Sequence, residues 1–268
     1  MSQKENSMTE KMLSRRDGAI GHMIFNQPEK HNAVSLEMWE AAERIMQEFE
    51  ADPEIRVLVL SGAGGKSFVA GADISEFEKQ RGTTDAQAHY NARSRAVYRL
   101  VENFPKPTVA MIHGYCIGGG LNLACACDLR ICSEKASFGM PAAQLALGYP
   151  FEAIKRLTNI VGIANARHLM FTAERIDAEH ALRTGLAQQV VPLDRLEAAV
   201  DEYAKVIAGN APLTVQAMKY ISTQVLENPD ERDLVKCDAM VAACFASEDF
   251  KEGRRAFMDK RKPEFQGR

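Results

Sequence analysis

Two glycine-containing turns are the parts of this chain best suited to chemistry: Ala70-Gly71-Ala72-Asp73 and Gly118-Gly119-Gly120, each following an apolar run. Glycine lets a backbone N–H approach a ligand closely, and the start of a helix offers unpaired donors and a partial positive charge. Two such donors converging on one carbonyl oxygen make an oxyanion hole, which holds charge as it develops there. Taken alone, the spacing favours a plainer role in tight turns and close helix packing. A third glycine stretch, SGAGGKS at Ser61 to Ser67, looks at first like a phosphate loop. Its first glycine is due at position 60, where Leu60 stands, and the residues from Phe68 to Asp73 do not open a helix. Nor do these glycines give G-x-G-x-x-G, so nucleotide hydrolysis and dinucleotide binding are both unsupported. His113 and Cys116 flank the second turn and are groups able to titrate near neutrality; packing at the end of a buried strand accounts for both. Asp73 and Glu76 lie close to the first turn, Asp73 placed to cap a helix beginning near Ile74; neither is assigned as a base.

The elements that must hold these turns read as alternating strands and helices. Ala19 to Phe25 is a strand, broken by Asn26, Pro28 and Asn32, and Ser35 caps a helix in which Leu36, Trp39, Ile45, Met46 and Phe49 keep helical spacing. Ile55 to Leu60 and Thr108 to Ile112 are nearly continuous apolar runs, the pattern of strands buried on both faces in a parallel sheet. Between them a helix runs from about Ala86 to Phe104; after the three glycines come an apolar, small-residue helix and a strand from Leu129 to Cys132. The class is therefore α/β. From about Pro150 the chain reads as helical apart from a short strand at Gln188 to Val191, with Asn210 and Asn228 punctuating three long final helices. This gives a disordered leader at 1–12, an α/β core at 13–200 and a helical region at 201–268, suited to oligomerisation or to capping the core.

Composition narrows the function classes. The chain has 268 residues, 46% of them hydrophobic, and a net charge of -3, with no basic stretch to bind nucleic acid. No apolar run is long enough to span a bilayer, and the polar start MSQKENSMTEK lacks a signal peptide's apolar core, which points to a cytoplasmic protein and away from a membrane. Six cysteines without a C-x-x-C pair and scattered histidines favour buried free thiols and no metal site.

Five segments, in order and in register, resemble the enoyl-CoA hydratase/isomerase (crotonase) superfamily: FNQPEKHNAVS at Phe25 to Ser35, AGADI at Ala70 to Ile74, HGYCIGGGLNLACACDLR at His113 to Arg130, ASFGMP at Ala136 to Pro141 and AFMDKRKPEF at Ala256 to Phe265. The resemblance covers the chain from about residue 14 onward. It implies a crotonase-like spiral of β-β-α units with C-terminal helices that build trimers, often paired into hexamers. It implies an acyl-CoA thioester as substrate, no separate cofactor, and the backbone N–H groups of Ala70 and Gly119 as the oxyanion hole. It further implies that the stretch Ala70, Gly71, Ala72 and Asp73 lines the substrate, that Lys30 and the backbone through Ala33 hold the CoA adenine and phosphates, and that Phe257 and Lys260 reach CoA from a neighbouring subunit.

One departure matters. The family hydratases carry a glutamate two residues after the glycine triplet and another just after F-G-x-P, and Asn122 and Ala142 stand there. A positioned proton carrier contributes about 10²–10⁴ in rate and an oxyanion-hole donor about 10²–10³. Thioester binding and enolate stabilisation are then expected to survive while ordinary hydratase turnover is largely lost. Asn122 can still hold a water or a carbonyl; Ala142 can only make room. Loss of CO2 from a malonyl-type thioester needs no base, and Tyr149 falls about where family decarboxylases carry a tyrosine, although Ala72 stands where some of them have a histidine. The resemblance thus leaves three readings: a lyase or isomerase of enoyl-CoA hydratase type, a malonyl-type acyl-CoA decarboxylase, and a catalytically silent CoA-binding oligomer.

Overall fold

The computed structural model describes residues 6–73 and 84–268. Seven strands form one sheet: β1 (Asn6–Thr9), β2 (Met12–Asp17), β3 (Ile20–Phe25), β4 (Val57–Gly62), β6 (Thr108–Ile112), β8 (Leu129–Ser133) and β11 (Gln189–Val191), in that spatial order. A second sheet holds β5 (Ser67–Val69), β7 (Tyr115–Ile117), β9 (Ser137–Gly139) and β10 (Ile176–Asp177), in the order β10-β9-β7-β5. From β3 to β11 the large sheet is parallel, as is β5-β7-β9 in the small one. Each turn of chain places a strand in the large sheet, the next strand in the small sheet, and then a helix. Thus β4 and β5 precede α2 (Thr84–Glu102), β6 and β7 precede α3 (Gly119–Ala126), and β8 and β9 precede α4 (Phe151–Thr172), with the short α5 (Ala178–Arg183) following β10. This is a β-β-α spiral. The helix α1 (Leu36–Ala51) comes before the first such turn, its Ser35 hydroxyl accepting the Met38 N–H as the capping pattern predicts.

The apolar runs of β4 and β6 are continuous because both faces are covered. Val57, Val59, Val109 and Ile131 pack with Leu196, Val200 and Ala204 of α6 (Leu196–Ala208) on the outer face. Leu58, Leu60, Ala110 and Ile112 join Phe68, Val69, Cys116 and Phe138 of the second sheet in the main core. At about 25 cal/mol per Å² of apolar surface removed from water, this two-sided burial is the dominant stabilising term. One glycine is needed where the layers meet: a Cβ on Gly120 would overlap the Val69 carbonyl, so α3 docks on the β5 backbone only without a side chain there.

Four features differ from the sequence reading. Residues 6–12, expected within a disordered leader, supply β1 and the first residue of β2, with Asn6 opposite Ser14 and Ser7 opposite Leu13; residues 1–5 of that leader lie outside the described residues. The small sheet was not foreseen as a layer, since its strands have two or three residues each and no period to read. The expected boundary at residue 200 cuts through α6, which belongs to the core. Beyond it the chain forms α7 (Pro212–Val225), α8 (Leu234–Ala246) and α9 (Glu248–Met258), the last started by the Ser247 hydroxyl accepting the Phe250 N–H. Counted from α6, four helices stand where three were expected. The tail then folds back, and Arg56 donates to the carbonyls of Ala208 and Phe265 at 3.0 and 2.7 Å.

Candidate active site

The first glycine turn is built from a polar lattice around Asn32. This buried residue adopts a left-handed conformation, φ 56°. Its Oδ1 accepts the Gln27 N–H at 2.9 Å, and its Nδ2 donates to the carbonyls of Ala63 and Ser67, both at 3.0 Å. Asp73, 6% exposed, accepts from Gln27 Nε2 at 3.0 Å and from Lys30 Nζ at 2.7 Å. The segment 27–34 is thereby stitched to the turn after β5. The helix that Asp73 was expected to cap, and Glu76 with it, fall outside the described residues.

Backbone bonding within the turn decides which N–H is available. Ala70 donates to the His31 carbonyl at 3.1 Å, Val34 donates to Gly71 at 2.9 Å, and Asp73 donates to Val34 at 3.1 Å. The Ala70 N–H is therefore consumed by ordinary backbone pairing, which corrects its expected place in the oxyanion hole. Gly71 sets this pattern. With φ at 97° it breaks the alternation of a strand, so that residues 70 and 73 both face the 31–34 segment and the N–H of Ala72 turns away from it. Ala72 N–H has no backbone acceptor among the described residues, and neither has the N–H of Gly119, the first residue of α3. The two turns touch: a Cβ built on Gly71 would stand 4.0 Å from the Gly119 nitrogen, and one built on Gly119 would stand 3.8 Å from the Gly71 Cα.

Both residues line a cavity of about 550 Å³, walled by Trp39, Tyr98, Asn122, Ala142 and Tyr149 among others. Asn122 is 5% exposed and committed: its Oδ1 accepts from Arg156 Nη1 at 3.2 Å. Arg156 also holds Glu102 at 2.6 Å, and the Tyr98 hydroxyl donates to the Gly119 carbonyl at 3.2 Å. The amide expected to hold a water or carbonyl thus holds Arg156, while Tyr98 is tied to the second turn itself. Ala142 leaves open space, as expected of its small side chain. Burial pushes the Tyr98 phenol well above its usual value, with Tyr90 and Tyr149 adding to the effect, and burial raises Tyr149 to about 12. Both are neutral donors at physiological pH. The Tyr149 oxygen would stand 4.0 Å from a Cβ built on Gly118, beside the glycine turn.

No carboxylate, imidazole or thiol is among the described residues lining this cavity. Cys116 is buried and its thiol pushed well up by that burial, and His113 is lowered by burial with Glu197 opposing, so the two groups flanking the second turn are packed, neutral side chains. Among the described residues, no cluster of three or more metal-ligating side chains occurs, all six cysteines are free, and no helix is long and apolar enough to cross a membrane. The residues expected to hold CoA are divided. Lys30 and Ala33 sit on the segment flanking the first turn, Lys30 keeping much of its surface while paired with Asp73. Phe257, 82% exposed, and Lys260 lie at the end of α9, and neither lines the cavity of the same chain. The sequence reading missed Trp39, Tyr98 and Arg156, whose signal was only their place on amphipathic helices. It also missed Asn32, legible as H-N-A-V-S but with no visible role.

Comparison with known proteins finds similarity along nearly the whole chain. The sequence model described as enoyl-CoA hydratase/isomerase matches residues 15–268. A short-chain-enoyl-CoA hydratase of Clostridium acetobutylicum is 34% identical over 253 residues, covering 94% of this chain and 96% of its own. A peroxisomal Delta(3,5)-Delta(2,4)-dienoyl-CoA isomerase of Arabidopsis thaliana is 33% identical, covering 99% of each. The crystal structure of an enoyl-CoA hydratase/carnithine racemase from Magnetospirillum magneticum superposes with a TM-score of 0.90 at 31% identity, covering 99% of this chain and 97% of that one. Hydratase and isomerase stand at nearly equal identity, so similarity alone does not choose the reaction.

Proposed function

The chain belongs to the enoyl-CoA hydratase/isomerase family and has the crotonase fold, and from that premise we propose that it binds an acyl-CoA thioester whose carbonyl oxygen accepts hydrogen bonds from the N–H groups of Ala72 and Gly119. The observation that carries this is the pair of unspent backbone donors meeting at one cavity wall. The partial charge at the start of α3 adds to the Gly119 bond. Each donor contributes about 10²–10³ to a step that builds negative charge on the oxygen. Lys30 is the point charge nearest the turn for a CoA phosphate, and the exposed Phe257 and Lys260 support completion of the CoA site by a second copy of the chain. The apolar surface of α7 to α9, including Met218, Phe245 and Met258, supports assembly into a trimer or a pair of trimers.

A second reading within this function is favoured by the lack of a base among the described lining residues. Decarboxylation of a malonyl-type thioester breaks the bond between the α-carbon and the carboxylate; its electron pair becomes the enolate, CO2 leaves, and the α-carbon then takes one proton. Tyr149, neutral and beside the glycine turn, supports the role of proton donor, its phenolate being reprotonated by water. Titration calorimetry with CoA thioesters of increasing chain length tests the first reading: saturable binding is expected, and no binding at any length removes it. CO2 release from malonyl-CoA tests the second, and a Tyr149→Phe variant with full rate would take Tyr149 out of it. A purely structural oligomer is distinguished by the first titration together with spectrophotometric titration of bound acetoacetyl-CoA, whose ionisation a silent subunit would leave unchanged.

A further inference from the structure

Arg95, on α2, is the single charged side chain among the described residues lining the cavity, and it also lines a small annex beside Tyr98, Asn122 and Pro150. Its neighbours are already spoken for. Arg99 pairs with Glu152 at 3.4 Å and Arg156 pairs with Glu102 at 2.6 Å, whereas Arg95 has no hydrogen bond or ion pair among the described residues. Glu152 is the nearest rival. Its carboxyl is held below the ordinary value first by its own backbone hydrogen bond and then by Arg99, with Arg95 contributing only through space. The two lining positions at which the family resemblance leads one to expect carboxylates hold the neutral Asn122 and Ala142. Among the described residues the lining therefore carries one positive charge, on an exposed side chain beside mostly apolar walls, where an opposite charge on a ligand gains more than in open water. A second donor lacks a partner in the same walls: the indole N–H of Trp39, a residue 2% exposed, is buried with no acceptor. A buried donor without a protein acceptor is satisfied when a ligand oxygen reaches it.

We propose that the acyl group taken by this cavity ends in a second carboxylate, which pairs with Arg95, so that the substrate class is a dicarboxylic acyl-CoA. The inference rests on the acyl-CoA reading above and deepens it. Pairing with a guanidinium stabilises the charged ground state, so the carboxylate at Arg95 is an anchor at the far end of the acyl chain and not a group about to leave as CO2. Arginine suits this because it presents several donors in a planar fork that matches a carboxylate.

Calorimetric titration of the full chain with matched pairs tests it: succinyl-CoA against butyryl-CoA, glutaryl-CoA against valeryl-CoA, and adipyl-CoA against hexanoyl-CoA, each pair differing by carboxylate for methyl. For at least one pair the acid is expected to bind about tenfold or more tightly, as a charge-assisted pair in a cavity does. That preference collapses in Arg95→Met, is recovered in part in Arg95→Lys, and persists in Arg99→Met, whose guanidinium is paired with Glu152. Equal binding within all three pairs overturns the proposal while leaving the acyl-CoA reading intact. A loss in Arg95→Met that is the same for acid and methyl members overturns it too, because Arg95 would then be serving the phosphates of CoA itself. Failure of every thioester to bind overturns the acyl-CoA reading and this inference with it.

Discussion

Replacing one peptide N–H by an ester oxygen separates the two candidate donors of the first glycine turn. Lactic acid in place of Ala72 removes the N–H that has no backbone acceptor among the described residues and keeps the shape of the side chain; lactic acid in place of Ala70 removes the N–H that donates to His31 at 3.1 Å. A suitable reporter is acetoacetyl-CoA, whose ionised form is an enolate with its own ultraviolet band, so that the pKa of the bound ligand measures how well the site holds the oxyanion without requiring any turnover. An oxyanion-hole donor is worth about 2.7–4 kcal/mol. Since one pKa unit corresponds to about 1.36 kcal/mol, losing the Ala72 donor is expected to raise the bound ligand's pKa by about 2–3 units. The change at position 70 costs about 0.5–1.5 kcal/mol of stability through the lost backbone bond and leaves the ligand's pKa in place. Spectrophotometric titration of the complexes reads the first effect and denaturant unfolding the second. A large shift from the ester at 70 with none at 72 would refute the assignment of the donors, and no shift from either would refute the backbone oxyanion site.

The same geometry constrains three further substitutions. In Asn122→Glu the new carboxylate meets the Arg156 guanidinium that now binds Asn122 at 3.2 Å, which depresses its basicity, whereas Ala142→Glu stands on an open wall. Crotonyl-CoA hydration is therefore expected to gain about 10² or more in the double variant and more from Ala142→Glu than from Asn122→Glu alone, and a reversed order would contradict the role given to Arg156. His22 is buried, its Nε2 has no partner, and burial together with Arg15 lowers its pKa from 6.5 to about 4. The depressed value means its contribution is intact above pH 6.5 and is lost as pH falls through about 4, on the order of 3 kcal/mol in all; urea unfolding of His22→Leu across that window should show a flatter pH dependence than the parent, and an equal slope would refute the burial effect. Gly120→Ala forces a Cβ onto the Val69 carbonyl, a backbone atom that cannot swing aside, so thermal unfolding is expected to show a loss of at least about 1–3 kcal/mol; a neutral result would mean α3 does not dock so closely.

The large sheet was legible because β4 and β6 are long enough to display continuous burial, and the α3 start because three glycines precede a small-residue apolar run. The second sheet was not, since β5, β7 and β9 each contribute three residues and are recognisable only by what they pair with. Within the site, sequence located both turns, yet at the first it named an N–H that the fold spends on the His31 carbonyl. Ala70, Gly71 and Ala72 are alike as letters, and what separates them is the direction of each N–H, fixed by the φ of Gly71 and by the distant Val34 and His31. The neutral residues at 122 and 142 were legible as departures. Their surroundings were not: Tyr98, Arg95 and Arg156 come from two helices whose sequence shows only amphipathic spacing, and their convergence is a property of the packed fold.

Isotope-edited infrared spectroscopy of a butyryl-CoA carrying 13C and 18O at the thioester carbonyl looks directly at the bond on which the account depends. On binding, the carbonyl stretch is expected to move to lower frequency, and the ester at position 72 is expected to return it towards the free value while binding persists. A stretch unchanged between free and bound ligand, at saturation, would show that no donors grip that oxygen and would contradict the account.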